Sequence, residues 1–524
     1  MTMDLNSANA DYVAATRKFA AYFFQEALSF GGQQAERNQD TRLEDEIDAT
    51  QASAYIKREN LAGDSEDAFN PNAFFGVVSS SEPTSGQFHD LSLVVFPSIP
   101  SANSTDENQK PWLVALGLGT EGYSNDLEIA LLPGTRRAQL RLARQIKDKF
   151  GYESFVKSDF GDDVTSVSKV FKKEHIQDSL AKTVSKYSRH LMACTAIDDP
   201  FGSKGQASKE TIISYLATYA KMRGWGSNKE QRAAIDDAIR AISVSAEDQG
   251  NIELAEVQRL VEERQYVVLQ GAPGTGKTRL AKLIAQRMPN NQIFFTQFHA
   301  ETTYSDFIYG FKPGESKDGS LIYEPIEGIF VEAVKRAIEV EKNGESVFLI
   351  IDEINRANLA SVLGPAFYLF EYGLTQSQGE QRNLPEVQIA PGLKIDKLPQ
   401  NLYVIATMNT ADRSLAVVDF ALRRRFAWYT IQPRVIEAEE GSDFHEEEFQ
   451  KVADIFEEYA KDEELSLQPG QAYFITRGGE SIKDRLRYEV MPLIKEYLLD
   501  GLLPQAKNDF MQLFRELIDE EMFE

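Results

Sequence analysis

The sequence has 524 residues, of which 42% are hydrophobic and 26% are charged, and this composition excludes a disordered, fibrous or collagen-like protein. At roughly 100 to 200 residues per domain, the length predicts two to four domains. Lys and Arg number 56 and Asp and Glu 81, which gives a formal net charge of −25. Any contact with DNA or an anionic membrane therefore needs a local cluster of positive charge.

Two features of the sequence favour a cytoplasmic protein. The single cysteine, Cys194, cannot form an internal disulfide bond, which favours a reducing compartment and leaves no cysteine cluster for structural zinc. The first residues, MTMDLNSANADYVAATRKF, contain neither a basic nor an apolar segment, and no stretch of about 18 apolar residues occurs in the chain. We therefore expect a cytoplasmic location and no membrane partner.

The first 200 residues have the pattern of a small α+β domain. Apolar residues recur at helical spacing over 11–35, and short β-rich runs separated by Ser, Pro, Gly and Asn clusters occupy 73–132. The helical pattern RRAQLRLARQIKDKFG follows, and its spacing puts Arg137, Arg141 and Arg144 on one helix face.

The segment 136–190 is strongly basic, with thirteen Lys or Arg against seven Asp or Glu. Two interpretations are open. The basic residues form either a solvated helix face that pairs with acidic surface elsewhere, or a surface that contacts phosphates.

A phosphate-binding loop is indicated by RQYVVLQGAPGTGKTRLAKLIAQRM at 264–288, where an apolar run leads through a glycine-rich loop into an amphipathic helix pattern. The glycines let backbone N–H groups turn toward phosphate oxygens at the positive end of that helix. The Lys side chain of the loop adds a point charge at the β- and γ-phosphates, and Thr278 offers a hydroxyl to Mg²⁺. The predicted nucleotide contacts are Gly271, Pro273, Gly274, Thr275, Gly276, Lys277, Thr278 and Arg279.

Two further strand patterns end in polar residues that suit phosphoryl transfer. VFLIIDE at 347–353 predicts a strand buried on both faces, after which Asp352 holds Mg²⁺ and Glu353 polarises the attacking water. NLYVIATMNT at 401–410 places Asn409 where an amide orients that water, the sensor 1 position of AAA+ ATPases. The three patterns together predict an NTP hydrolase rather than a passive binder.

Three consecutive arginines occur in DFALRRRF at 419–426. They form either a basic helix end that complements the helix dipole, or a source of arginine fingers. In the second interpretation, Arg424 and Arg425 reach the γ-phosphate of a neighbouring subunit, since a planar guanidinium stabilises the charge of phosphoryl transfer. Fingers of this kind imply a ring of subunits.

The residues around these motifs closely resemble the McrB family, the AAA+ motors of modification-dependent restriction systems. The resemblance covers about 255–515 and does not include the first 200 residues. The strings that carry it are QFHAETTYSDFIYGFKP at 297–313, YEPIEGIF at 323–330, FLIIDEINRANLASVLG at 348–364, IATMNTADRSLAVVDFALRRRFAW at 405–428, LQPGQAYFI at 467–475 and LRYEVMPLIKEYLLD at 486–500.

The resemblance implies an α/β fold, an AAA+ P-loop NTPase with a parallel sheet flanked by helices and a helical lid, preceded by a separate α+β N-terminal domain. It implies a homo-oligomeric ring, usually a hexamer, that hydrolyses GTP or ATP with Mg²⁺. It also implies a separate McrC-like nuclease subunit as partner, and DNA, modified or plain, bound through residues 1–200.

The resemblance also implies roles for residues that the motifs alone do not identify. Asn355 and Arg356 correspond to residues that place water and contact nucleotide at the subunit interface, although helix capping and surface charge are the alternative. Asp412 and Arg413 lie in the signature loop of the family. Two departures from the family are Gly364-Pro365-Ala366 in place of GEL, and the string GQAYF at 470–474 in place of GHSYF.

The expected domains are a target-recognition or partner domain at 1–200, a helical connector at 201–262, the nucleotide-binding core at 263–432 and a helical lid at 433–524. No nuclease site is apparent in the sequence, so cleavage is expected in another polypeptide. The alternative function is that of a MoxR-like ATPase that remodels a protein substrate without DNA.

Overall fold

The computed structural model describes most of the chain in two compact units, Met1–Val244 and Ser245–Glu524. Within the described ranges, no helix is both long and apolar enough to cross a membrane. The described residues are 5–32, 55–62, 69–79, 91–98, 110–119, 126–157, 171, 176, 178–242, 246–288, 290–315, 321–370, 386–411 and 423–523.

The first unit is built on a six-stranded antiparallel sheet in the order β1-β2-β3-β4-β6-β5. Every residue of β3, β4 and β6 is buried, which explains why these strands are continuous apolar runs rather than alternating ones. The strands are β1 Tyr55–Ala62, β2 Phe69–Ser79, β3 Leu91–Pro97, β4 Trp112–Leu118, β5 Ser154–Val156 and β6 Leu191–Ile197.

Helices cover both faces of this sheet. Phe19 and Tyr215 come from two helices on one face, and Leu180 comes from the helix on the other face. The helices are Leu5–Ser29, Asp126–Leu131, Pro133–Phe150, Asp178–Tyr187, Gly205–Met222 and Lys229–Arg240. The last two of these lie within the stretch predicted as a connector, and their apolar residues are part of the core of the first unit.

The second unit has a five-stranded parallel sheet in the order β15-β7-β14-β11-β8. Helices pack on both of its faces, so the expected parallel sheet flanked by helices is confirmed. The five strands are β7 Tyr266–Gly271, β8 Asn291–Gln297, β11 Ser346–Asp352, β14 Leu402–Asn409 and β15 Ala427–Thr430. The helices of this part are Ala246–Arg264, Lys277–Arg287, Tyr304–Phe307, Ile329–Val340 and Leu359–Leu363.

Three antiparallel strand pairs accompany this sheet: β9 Tyr309–Glu315 with β10 Leu321–Glu327, β12 Val387–Ala390 with β13 Leu393–Ile395, and β16 Ser442–Phe444 with β17 Ile475–Arg477.

The region 433–523, called the lid below, is mainly helical and has its own core. Phe456, Phe474 and Phe510 are fully buried in this core. The lid helices are Glu446–Tyr459, Ile482–Arg485, Met491–Leu499 and Lys507–Ile518, with a π-helical segment at Leu486–Val490.

Candidate active site

The phosphate-binding loop follows β7 and leads into the helix Lys277–Arg287. Gly274 and Gly276 have φ angles of +79° and +85°, a left-handed conformation that favours glycine. The Nζ atom of Lys277 donates to the carbonyl oxygens of Gly271 at 3.0 Å and Ala272 at 2.7 Å. The ammonium group therefore lies inside the curve of the loop, where a phosphate binds in P-loop proteins.

The end of β11 lies directly beside this loop. The Thr278 hydroxyl donates to Oδ1 of Asp352 at 2.6 Å, so the two residues predicted to hold Mg²⁺ are in contact. Carboxylate and hydroxyl oxygens are the ligand types that a hard cation prefers. The donor set thus fits Mg²⁺.

Thr407, a residue that sequence reasoning missed, connects both acidic residues. Its hydroxyl donates to Oδ1 of Asp352 at 2.6 Å and accepts from the backbone N–H of Glu353 at 3.1 Å. A sequence signal did exist, because residues two apart in a strand point to the same face and Thr407 precedes Asn409 by two. The apolar surroundings of Thr407 made it resemble an ordinary buried strand residue.

Glu353 has an unusual backbone conformation and a side chain with two contacts. Its backbone has a φ of +54°, unusual for a residue that is not glycine, and this turns the chain sharply out of the sheet. The Asn409 amide donates to Oε1 of its carboxylate, and the Nε of Arg356 lies 3.4 Å from Oε2. The structure therefore brings together the predicted base, the predicted sensor and Arg356.

Asn355 lies in the same cluster and is only 4% exposed. Its Nδ2 donates to the carbonyl oxygen of Asn409 at 3.4 Å, while its Oδ1 is buried and has no hydrogen-bond partner in the described part of the chain. A buried acceptor of this kind fits an ordered water molecule. The arrangement suits the predicted role in water placement, which stays a prediction.

The predicted arginine fingers differ in exposure. Arg424 is exposed, whereas Arg425 is 5% exposed and its guanidinium carbon lies 4.2 Å from the centre of the Phe367 ring. Arg425 therefore takes part in the packing of its own unit. Asp412 and Arg413, the predicted signature-loop residues, lie outside the described residues.

Two other predicted features have clear positions. Arg279 forms an ion pair with Glu439 of the lid, so its side chain links the P-loop helix to the lid. Pro365, which replaces the family's Glu, is exposed at the start of a short helical turn, Gly364–Phe370.

The basic helix of the first unit, Pro133–Phe150, presents Arg141 and Arg144 to solvent, whereas Arg137 is half-buried. A cavity of about 690 Å³ borders the end of this helix and is lined in part by Lys149, Tyr152 and Asp198. The Tyr152 hydroxyl donates to Asp198 at 3.0 Å, and burial raises the pKa of this tyrosine.

Known proteins resemble the second unit in sequence. Residues 266–426 match the family described as AAA domain, dynein-related subfamily. They form an AAA domain. The chain is 32% identical over 267 residues to the type IV methyl-directed restriction enzyme EcoKMcrB subunit of Escherichia coli K12, covering 47% of this chain and 56% of that protein.

A second relative is the YdiS component of the type II restriction enzyme BsuMI of Bacillus subtilis 168, 32% identical over 197 residues, which covers 31% of this chain and 55% of YdiS. The chain thus spans just over half the length of these curated relatives. The predicted resemblance to McrB over the AAA region and the predicted NTP hydrolase class are both confirmed.

Solved structures with weak similarity include an ATPase from Cytophaga hutchinsonii and a mutant of RuvB from Thermotoga maritima. The first is 18% identical and covers 36% of this chain and 47% of that one, with a TM-score of 0.23. The second is 18% identical and covers 38% and 48%, with a TM-score of 0.19.

Proposed function

We propose that this protein is the nucleotide-driven motor of a restriction-type defence complex. It binds and hydrolyses GTP or ATP, contacts DNA through its first unit and drives a separate McrC-like nuclease. The observation that carries the proposal is the cluster of Asp352, Glu353 and Asn409 beside the P-loop, in an AAA domain with two restriction-system proteins among its relatives.

Different residues of the site bind the phosphates, hold Mg²⁺ and accept a proton. Lys277 and the backbone N–H groups of the P-loop bind the phosphates. Thr278 and Asp352 hold Mg²⁺, which supplies charge neutralisation at the β- and γ-phosphates when bound. Glu353 accepts a proton from the attacking water, while the Asn409 amide and Arg356 fix the direction of the Glu353 carboxylate.

The proposed assembly is a homo-oligomeric ring, a hexamer, in which Arg424 contacts the γ-phosphate bound by the adjacent subunit. Its exposure supports this role over Arg425, whose guanidinium packs on Phe367. A finger supplied in trans makes hydrolysis depend on assembly.

The proposed DNA contact uses the exposed side of the helix Pro133–Phe150. Arg141 and Arg144 are solvent-exposed there, in a chain whose overall charge of −25 otherwise repels DNA. The names of the two relatives, both restriction enzymes or components of one, support a DNA target and a partner that cuts it.

The deciding experiment is steady-state hydrolysis of ATP and GTP by the purified chain, at stated salt, alone and with duplex DNA that carries plain or modified cytosine. Stimulation by DNA, with or without a co-expressed nuclease, supports the motor. Turnover that ignores every DNA shifts the assignment to a MoxR-like ATPase that remodels a protein substrate. Absence of turnover with both nucleotides, under all conditions, contradicts both functions.

A further inference from the structure

The lid touches the P-loop through a short segment, residues 470–473. The backbone N–H of Gly470 donates to the carbonyl of Pro273 at 2.9 Å, and the N–H of Ala472 donates to that of Gly274 at 3.0 Å. The carboxamide of Gln471 donates from Nε2 to the carbonyl of Thr275 at 2.9 Å. Three successive P-loop carbonyls, from 273 to 275, thus each accept a hydrogen bond from the lid.

These contacts also determine where the P-loop N–H groups point. The carbonyl of one residue and the N–H of the next belong to the same planar peptide group and point in opposite directions. When the lid holds the carbonyls of 273 to 275, it therefore directs the N–H groups of 274 to 276 away from itself. Such N–H groups are the ones that bind phosphate oxygens in a P-loop.

The approach between lid and loop is too close for larger residues. A Cβ atom on Gly470 would lie 2.2 Å from the carbonyl carbon of Gly274, and a Cβ on Gly274 would lie 3.0 Å from the Tyr473 ring. Two of the three hydrogen bonds are therefore backbone contacts that the glycines make possible. Gln471 supplies the third, and it alone does so with a side chain.

The Gln471 side chain is not explained by packing alone. It is 7% exposed, and its Oε1 is buried with no hydrogen-bond partner among the described residues. A buried amide with an unsatisfied oxygen carries a desolvation cost, which an apolar side chain of the same size avoids. The function of this amide therefore lies in its donor.

We infer that Gln471 is a positioning residue of the nucleotide site. It fixes the peptide group between Thr275 and Gly276 and so directs the Gly276 N–H toward the phosphates of the bound nucleotide. The inference rests on the proposed nucleotide function and extends it from the P-loop to the lid. It also gives a role to one position where the chain departs from the GHSYF string of the McrB family.

The test replaces the donor and keeps the volume. Gln471→Met and Gln471→Leu remove the N–H, Gln471→His restores a donor, and Gln512→Met makes the matched change at an exposed lid position. The measurements are the dissociation constants of the triphosphate, diphosphate and unphosphorylated nucleoside of adenine and guanine, and the melting temperature without nucleotide.

Loss of one neutral hydrogen bond predicts affinity for the triphosphate and diphosphate that is weaker by about threefold to tenfold in the Met and Leu variants. The His variant is expected to recover most of this loss, and the nucleoside, which has no phosphate, to bind all variants equally. In turnover, KM rises while kcat changes little, because the donor acts on binding.

The other possible results contradict either the role of Gln471 or the proposed function. Triphosphate affinity of Gln471→Met and Gln471→Leu equal to that of Gln512→Met overturns the inference and leaves the hydrolase intact. Equal weakening for nucleoside and triphosphate also overturns it, because the effect is then not directed at phosphate. Failure of the unaltered protein to bind any triphosphate contradicts the proposed function instead.

Discussion

Glu353 combines an unfavourable backbone conformation with a side chain that contacts both Asn409 and Arg356. Its left-handed φ of +54° carries a cost of about 1 to 2 kcal/mol for a residue with a Cβ atom. Three interactions of Glu353 offset this cost. They are the hydrogen bond that its carboxylate accepts from Asn409, the hydrogen bond that its backbone N–H donates to Thr407, and the ion pair with Arg356. Strain retained in this way is typical of positions that a reaction requires.

The substitution Glu353→Gln tests the role of the carboxylate. The amide is nearly the same size but cannot take a proton from water, so kcat is expected to fall by about 100-fold or more. Nucleotide affinity is expected to change little, since Glu353 is not part of the P-loop. Parallel measurement of kcat and of the dissociation constant of the triphosphate checks this, and normal turnover removes Glu353 from the catalytic role.

A substitution at Thr407 tests its contacts with the two acidic residues. Thr407→Val keeps the shape of the side chain but leaves the partly buried N–H of Glu353 without its acceptor, which is expected to destabilise the unit by about 1 to 3 kcal/mol. The Mg²⁺ concentration that gives half-maximal turnover is also expected to rise, because Asp352 loses a hydrogen-bond donor that orients its carboxylate.

Denaturant unfolding and a Mg²⁺ titration of hydrolysis measure these two effects. Thr407→Ser keeps the hydroxyl and serves as the control for it, and Thr296→Val makes the same change at a half-buried position on the edge strand β8. If Thr407→Val behaves like Thr296→Val in both measurements, Thr407 is an ordinary core residue.

The order of the strands in the parallel sheet separates what could be predicted from the sequence from what could not. The P-loop and the strand that ends at Asp352 were recognisable because each is a continuous local pattern. The contacts of Thr407 and Gln471 were not, because their partners are distant in sequence and meet them only through tertiary packing. In the sheet, β14 lies between β7 and β11, although it follows both in the chain.

The end of β14 consequently contacts both neighbours and the lid. The N–H of Thr410 donates to the carbonyl oxygen of Gly271 at 3.1 Å. The Thr410 hydroxyl donates to the carbonyl oxygen of Ser466 at 2.8 Å. No local period encodes such a pairing, since sequential strands need not be neighbours in a parallel sheet. The parallel sheet itself was predictable from its apolar runs, while the packing of the helices at 205–240 on the first sheet was not.

The basic helix Pro133–Phe150 of the first unit is the proposed DNA contact. Reversing charge at Arg141 and Arg144 is expected to weaken DNA binding and to reduce the slope of log affinity against log salt by about 2, one phosphate for each side chain. Arg137 is left unchanged because it is half-buried, and its replacement confounds binding with folding.

Fluorescence anisotropy with a labelled duplex at several salt concentrations measures this slope. The control variant, with Lys221→Glu and Lys229→Glu, has the same net charge change on two other helices of the unit. A slope that falls equally in both variants reports net charge only. An unchanged slope in the Arg141 and Arg144 variant returns this helix to the role of a solvated surface.

At the scale of the whole molecule, the exposure of Arg424 and the burial of Arg425 lead to opposite expectations. Arg425→Ala removes a guanidinium that packs on Phe367 inside its own unit. We expect a loss of stability of about 1 to 3 kcal/mol by denaturant unfolding. Because that defect lies within each subunit, no mixing of subunits is expected to restore turnover.

Arg424→Ala is expected to leave folding intact and to abolish turnover, because each subunit keeps its P-loop but cannot serve its neighbour. Lys277→Ala has the complementary defect, since it loses nucleotide binding but keeps Arg424. In a ring assembled at random from equal amounts of the two, about a quarter of the sites combine an intact P-loop with an intact finger. Hydrolysis at about a quarter of the rate of the unaltered protein, from two preparations that are inactive alone, is therefore the expected signal.

The contradicting outcome is no recovery of hydrolysis at any ratio, with mixed assembly verified by differently tagged subunits. That outcome rules out the trans role of Arg424, because a finger that acts within its own subunit cannot be complemented.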